Sequence, residues 1–277
     1  MISLLLAVTT ATVWGTADFC GGKASQRAPA LAVSVLSKVA GLPVLALGLV
    51  LTGGTPTRAD LGWGALAGLF GMAGVILLYR GLAAGAMTVV APVTAVTSAL
   101  VPFLIGIAID GAPAWTALIG AACAIGAIAL VSTGPGDGRK PVGPAVVGLA
   151  LAAGAGFGLF MTLVSRAGDR AGLWPLTTAQ LTALTLGWLL LRRTRTAPWL
   201  AGVTLRWAVA AGTLDFTANV AYLFAAHSGA LSIVAPIASL YPAATVLLAL
   251  AVDRERIRPL QVAGLGLAAA ALALVAS

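Results

Sequence analysis

The chain has 277 residues, of which 60% are hydrophobic and 9% are charged, and its formal net charge is +8. A mean hydropathy of +1.04 lies far outside soluble usage, so the composition excludes a soluble globular protein and indicates a multi-pass membrane protein. The Lys and Arg residues lie mostly in short gaps between apolar stretches, as in membrane loops. We therefore expect a lipid bilayer, and no nucleic acid, as partner, and a bacterial inner membrane as location.

Ten apolar stretches follow one another along the chain, each near the roughly 20 residues that a helix needs to cross the hydrocarbon. They cover residues 2–22, 29–51, 61–82, 87–109, 114–133, 143–165, 173–191, 206–226, 231–252 and 259–276. No stretch alternates as a barrel strand would, and backbone groups in lipid must be paired internally. The sequence therefore predicts an all-α integral membrane protein with ten transmembrane helices.

The second half of the chain repeats landmarks of the first half. "GAMTVVAP" at 85–92 returns as "GALSIVAP" at 229–236, an offset of 144 residues. Other matches occur in the same order at an offset of 143: Tyr79 with Tyr222, Asp110 with Asp253, Trp14 with Phe157 and Lys23 with Arg166. Several ordered matches indicate an internal duplication, so we divide the chain into repeats 1–137 and 138–277.

Each repeat contains five predicted helices, and an odd number has a geometric consequence. The second copy must enter the membrane from the opposite side, which makes the two copies inverted repeats. Inverted repeats that enclose a central site are typical of secondary transporters. The alternative is that duplication only enlarged a structural bundle.

Two pairs of motifs carry a resemblance to a known family. They are the Trp-Gly-x7-Lys pattern from Trp14 to Lys23 with its Phe-Gly-x7-Arg echo from Phe157 to Arg166, and the paired Gly-Ala-x4-Ala-Pro motifs that begin at Gly85 and Gly229. With the length of the chain, they resemble the EamA-type, ten-helix members of the drug/metabolite transporter superfamily. The resemblance implies two inverted five-helix repeats around a central substrate cavity, with transport by alternating access. It names no substrate.

The distribution of basic residues predicts the orientation. Loops that follow odd-numbered spans carry twelve Lys and Arg residues, whereas loops that follow even-numbered spans carry three. Since basic loops face the cytoplasm, the odd loops are expected there and both termini outside. The family resemblance favours cytoplasmic termini instead.

Three charged residues lie deep within apolar stretches, where charges are costly and usually functional. They are Asp18, Lys38 and Asp215, and the last lies on one helical face with Asn219 and Tyr222. One lysine can neutralise only one carboxylate in a low dielectric. We expect Lys38 to pair with one acid and the other to bind a proton or a cationic group of the substrate. For Asp18, near a helix end, the alternative is that it reaches the membrane interface.

Aromatic and proline residues complete the candidate site. Trp14, Tyr222 and Tyr241 could stack on an aromatic or cationic substrate, or could serve only in packing. Prolines recur within paired spans and predict kinks suited to a gate, although ordinary curvature would also explain them. These gating candidates are Pro92, Pro102, Pro236 and Pro242.

We expect a secondary active transporter, an exporter, of a small metabolite that is amino-acid-like, or of a cationic, drug-like solute, with protons as a candidate coupling ion. A lipid head-group flippase, a passive channel and a membrane-embedded enzyme are the alternatives. An enzyme is disfavoured because the chain has one histidine, no HExxH motif and almost no extramembrane chain. No cofactor, metal or catalytic residue is expected, and the protein is expected to be a monomer or a homodimer.

Overall fold

The structure is a computed structural model that describes residues 2–84, 87–110, 115–132, 142–228, 241–253 and 259–275. Over these ranges the chain forms ten α-helices, one short 3-10 helix and no strand. The helices are α1 (Ile2–Ser25), α2 (Ala30–Thr52), α3 (Arg58–Ala83), α4 (Met87–Asp110), α5 (Trp115–Ser132), α6 (Pro144–Val164), α7 (Trp174–Thr194), α8 (Gly202–Ser228), α9 (Tyr241–Val252) and α10 (Pro259–Val275). The all-helical prediction is confirmed for the described residues.

Length and hydropathy identify some of these helices as membrane spans more clearly than others. Among the described residues, three helices are long and apolar enough to cross a membrane by these criteria: α2, α3 and α6. The helix α8 begins at Gly202, four residues before the predicted span, and α9 begins at Tyr241 because residues 229–240 lie outside the described ranges. A crossing by every helix stays a prediction.

Local sequence explains where several helices start. The Thr57 side chain accepts a hydrogen bond from the Asp60 N–H while Asp60 Oδ2 accepts from the Thr57 N–H at 2.8 Å, which is a capping box at the start of α3. Asp60 Oδ1 also accepts from the Gly168 N–H at 2.8 Å. Pro144 stands in the first turn of α6, where its missing N–H costs nothing.

The helix contacts occur in pairs. When each helix of one contact is replaced by the helix five places away along the chain, the second contact of the pair results. Helix α1 packs on α8 as α6 packs on α3, and α2 packs on α8 as α7 packs on α3. In the same way α1 contacts α9 and α6 contacts α4, whereas α5 and α10 pack on each other. The packing therefore has the pattern expected of two similar halves.

Two glycine contacts repeat this pattern at the level of residues. Gly15 of α1 lies against the backbone of Thr245 in α9, and Thr245 Oγ1 donates to the Gly15 carbonyl at 2.9 Å. Gly158 of α6 lies against Val101 of α4. Gly15 and Gly158 differ by 143 in sequence, and Val101 and Thr245 by 144. Each glycine lets two helices approach closely because it has no Cβ.

The two ends of the bundle differ in packing. We call end A the end at which α1 ends and α2 begins, and end B the opposite end. The largest cluster of buried apolar side chains lies toward end A, and it includes Phe19, Leu78, Leu82, Met87 and Val90. The described residues at end A are therefore closely packed.

Candidate functional site

A cavity of about 150 Å³ lies inside the bundle. Its lining comes from α1 to α4 and from α6 to α9, so both halves contribute, while no described side chain of α5 or α10 is part of it. Met161 lines it, is 48% exposed and stands three residues before α6 ends at end B. The cavity therefore extends toward end B and stops at the apolar cluster of end A.

The structure brings most of the predicted site residues to this cavity. Six of them line it: Trp14, Asp18, Lys38, Asp215, Asn219 and Tyr241. Tyr222 does not line it but stands behind Trp14, with ring centroids 5.6 Å apart. Small residues of the lining, such as Ala179 and Gly212, allow the helices to come close around the polar groups.

The charged groups of the cavity are unequally partnered. Lys38 Nζ lies 3.5 Å from Asp215 Oδ2, and the two side chains are 18% and 35% exposed. Lys38 Nζ also lies 5.8 Å from the centroid of the Phe216 ring, within reach of a cation–π attraction. This lysine therefore joins α2 to α8 through both charge and packing.

Gln180 supports the lysine from a third helix. Its Nε2 donates to the Lys38 carbonyl at 2.5 Å, and the side chain is buried. A buried amide that finds a partner avoids a desolvation cost, and the bond holds α7 to α2. Asn219 behaves differently, because its Nδ2 donates to the Asp215 carbonyl within its own helix at 2.7 Å.

Asp18 is the second acid of the cavity. It lines the cavity on α1, and Lys38 and Asp215 are the charges that act on it. No hydrogen bond or ion pair of its carboxyl group occurs among the described residues. The cavity thus holds two carboxyl groups and one ammonium group, which leaves room for one positive charge or one proton.

Aromatic rings form one wall. Trp14 contacts Tyr241 edge-on at a centroid distance of 6.1 Å, in addition to its contact with Tyr222. Phe157 and Phe160 of α6 also line the cavity, although they are not among the binding residues predicted from the sequence. The sequence does contain an indication that Phe157 lines the cavity, because this residue is the repeat counterpart of Trp14.

The prolines predicted to act in gating are not found at the cavity where the structure describes them. Pro92 is buried in α4 and Pro242 is buried at the second position of α9, and neither lines the cavity. Pro102 belongs to α4 with its side chain outside the described residues, and Pro236 lies outside them entirely. Pro43, inside α2, was not selected from the sequence. A gating role for these prolines stays a prediction.

Comparisons with known proteins agree with this architecture. The sequence model of the EamA-like transporter family matches residues 1–133 and again residues 144–277. A solved structure described only as "Crystal structure of protein" shares the fold with a TM-score of 0.64 at 17% identity, over 98% of this chain and 95% of the other. A search of curated proteins gives no match. Because the family model covers nearly the whole chain in two copies, this helical integral membrane protein belongs to the EamA-like transporter family.

Proposed function

We propose that the protein is a secondary active transporter that exports a small solute through the cavity by alternating access. The observation that carries the proposal is a cavity lined by four helices of each half, with three charged side chains, Lys38, Asp215 and Asp18, in its otherwise mostly apolar wall. A buried polar site between two similar halves is the arrangement that carriers use. Family membership supports a solute-transporting role, and we propose the cavity as the place where the solute binds.

Two similar halves of opposite orientation are part of the proposal. The paired helix contacts and the equivalent contacts of Gly15 and Gly158 support it. The two family matches, which leave residues 134–143 between them, support a division near residue 137. Alternating access would then consist of the two halves exchanging conformations, which closes one end while it opens the other.

The charges favour a solute that bears a positive group. Asp18 has no partner among the described residues, so it can accept an ammonium group or a proton, while Trp14 and Tyr241 line the same cavity and can contact a cation. If the proton and the solute compete for Asp18, uptake of one releases the other, and a proton gradient would drive export. A cavity of about 150 Å³ suits a compact amine or amino-acid-like solute.

Counterflow in proteoliposomes tests the proposal. A thermal-shift screen of metabolites and cationic amines first selects a ligand that stabilises the purified protein. Liposomes loaded with unlabelled ligand should then take up labelled ligand faster than empty liposomes, and the rate should saturate. Asp215→Asn should lower this rate strongly, whereas Thr217→Val, at an exposed position of α8 outside the cavity lining, should not. Flux that is linear in concentration and independent of the internal ligand would contradict a carrier.

A further inference from the structure

An ion pair at end A joins the two halves. Lys23 Nζ contacts Asp253 Oδ1, and their side chains are only 15% and 17% exposed. Lys23 stands in the last turn of α1 and lies 5.9 Å from the centroid of the Phe19 ring, while Asp253 directly follows α9. The pair therefore connects the first half to the second half across a partly buried interface.

The position of this pair matters for access to the cavity. Asp18 lines the cavity, whereas Lys23 lies five residues further toward end A, past the ring of Phe19 in the apolar cluster. A route from end A to the cavity along α1 and α9 would have to separate Lys23 from Asp253. The other oxygen of that carboxylate, Asp253 Oδ2, is buried with no hydrogen-bond partner among the described residues.

The repeat encodes the same two charges at end B. Arg166 is the sequence counterpart of Lys23, and Asp110 is the counterpart of Asp253. Arg166 follows α6 at end B, is exposed and has no side-chain partner among the described residues. The side chain of Asp110 is not among those described. At end A the two charges form an ion pair, whereas at end B the basic member, Arg166, is exposed.

We propose that Lys23 and Asp253 are positioning residues of the transport cycle, which hold end A shut in the state seen here and separate when the cavity opens to that end. Arg166 would serve end B in the same way when the halves exchange conformations. The inference rests on the proposed function, since a pair that never opens would be a structural contact only.

Cysteine labelling from each side tests the assignment without any solute. The background variant carries Cys20→Ala and Cys123→Ala, and Ser98→Cys places a reporter on the cavity wall. A membrane-impermeant maleimide is added to sealed vesicles of both orientations. The exposed loop positions Gln26→Cys at end A and Thr55→Cys at end B show which vesicles present which end.

Removing the pair should open end A. We expect Lys23→Ala and Asp253→Asn each to increase labelling of the reporter from end A several-fold, because loss of one contact shifts the population toward the open state. The exchanged variant Lys23→Asp/Asp253→Lys should restore slow labelling, which a general loosening of the fold would not do. Arg166→Ala, the matched change at end B, should not raise labelling from end A above the background, because its loss cannot favour the state that is open at end A.

The outcomes separate this inference from the proposed function. Unchanged labelling from end A in both single variants, with counterflow retained, would overturn the inference and leave the carrier proposal intact. An equal increase of labelling from end A in Arg166→Ala would also overturn the inference. So would labelling in the exchanged variant that stays as fast as in the single variants. If the labelling shifts as expected while no screened solute shows counterflow, the gating assignment stands and the proposed function fails.

Discussion

Lys38 of α2 and Asp215 of α8 face each other at 3.5 Å although 177 residues separate them in sequence. This contact places a basic group from the first half beside an acid from the second half, on the wall of a cavity that both halves line. Asp18, the remaining acid of the cavity, has no such partner among the described residues. The unequal partnering gives the site an excess of one carboxyl group.

The free energies of unfolding of variants should show that Lys38 and Asp215 interact. Lys38→Met leaves both acids of the cavity without a counter-charge, and we expect it to lower the free energy of unfolding by about 1–3 kcal/mol. The double variant Lys38→Met/Asp215→Leu should lose less than the sum of the two single changes, because each single change leaves one member of the pair without its counter-charge and the double change removes both. Unfolding of the purified protein in mixed micelles measures these values. Strict additivity would show that the two groups do not interact.

Asp18 should couple transport to protons. Asp18→Asn removes the group for which proton and solute are proposed to compete, so a pH gradient should no longer drive solute movement. Exchange of solute against solute should then need a higher solute concentration, because the cationic group loses its carboxylate. Transport into vesicles with and without an imposed pH gradient measures the difference. Asp60→Asn, at the capping box of α3 outside the cavity lining, is the matched control and should keep its response. A full response in Asp18→Asn would place the coupling site elsewhere.

Trp14 should contribute to affinity through its ring. Trp14→Ala removes the aromatic wall that contacts Tyr222 and Tyr241, and we expect the KM for a cationic solute to rise roughly tenfold, since a desolvated cation–π contact contributes about 1–2 kcal/mol. Trp14→Phe should preserve most of the affinity. Tyr222→Phe should change KM little, because this residue does not line the cavity. Initial rates over a range of solute concentrations give the KM of each variant. The rise in KM should be largest for Trp14→Ala and small for Trp14→Phe and Tyr222→Phe.

Close helix packing should tolerate no side chain at Gly212. A Cβ there would lie 2.8 Å from Ser37 Cα and closer still to the backbone carbonyl of the same residue. We expect Gly212→Ala to destabilise the protein by about 1–3 kcal/mol through overpacking. Gly62→Ala is the matched control, because nothing lies within 4 Å of a Cβ at that position. This control should be neutral or stabilising by about 0.5–1 kcal/mol, the helix-propensity difference between the two residues.

The class of fold could be predicted from the sequence because hydropathy is a local property. Apolar stretches of about 20 residues can satisfy their backbone in lipid only as helices, and the described helices overlap those stretches. The charged candidates were also visible, since a charge within an apolar run stands out regardless of its neighbours. The repeat could be recognised because equivalent residues recur at a constant offset in one chain.

The partners within the site depended on tertiary structure. Whether Lys38 meets Asp18 or Asp215, and whether Tyr222 reaches the cavity or stands behind Trp14, depends on which helices are neighbours and how each is rotated about its axis. The bond from Gln180 to the Lys38 carbonyl likewise joins helices 142 residues apart. Hydropathy and periodicity tell that a face is polar, but they do not tell which helix that face meets. Packing at close glycine contacts settles that choice, because it sets how near two helices come and which side chains then share the space between them.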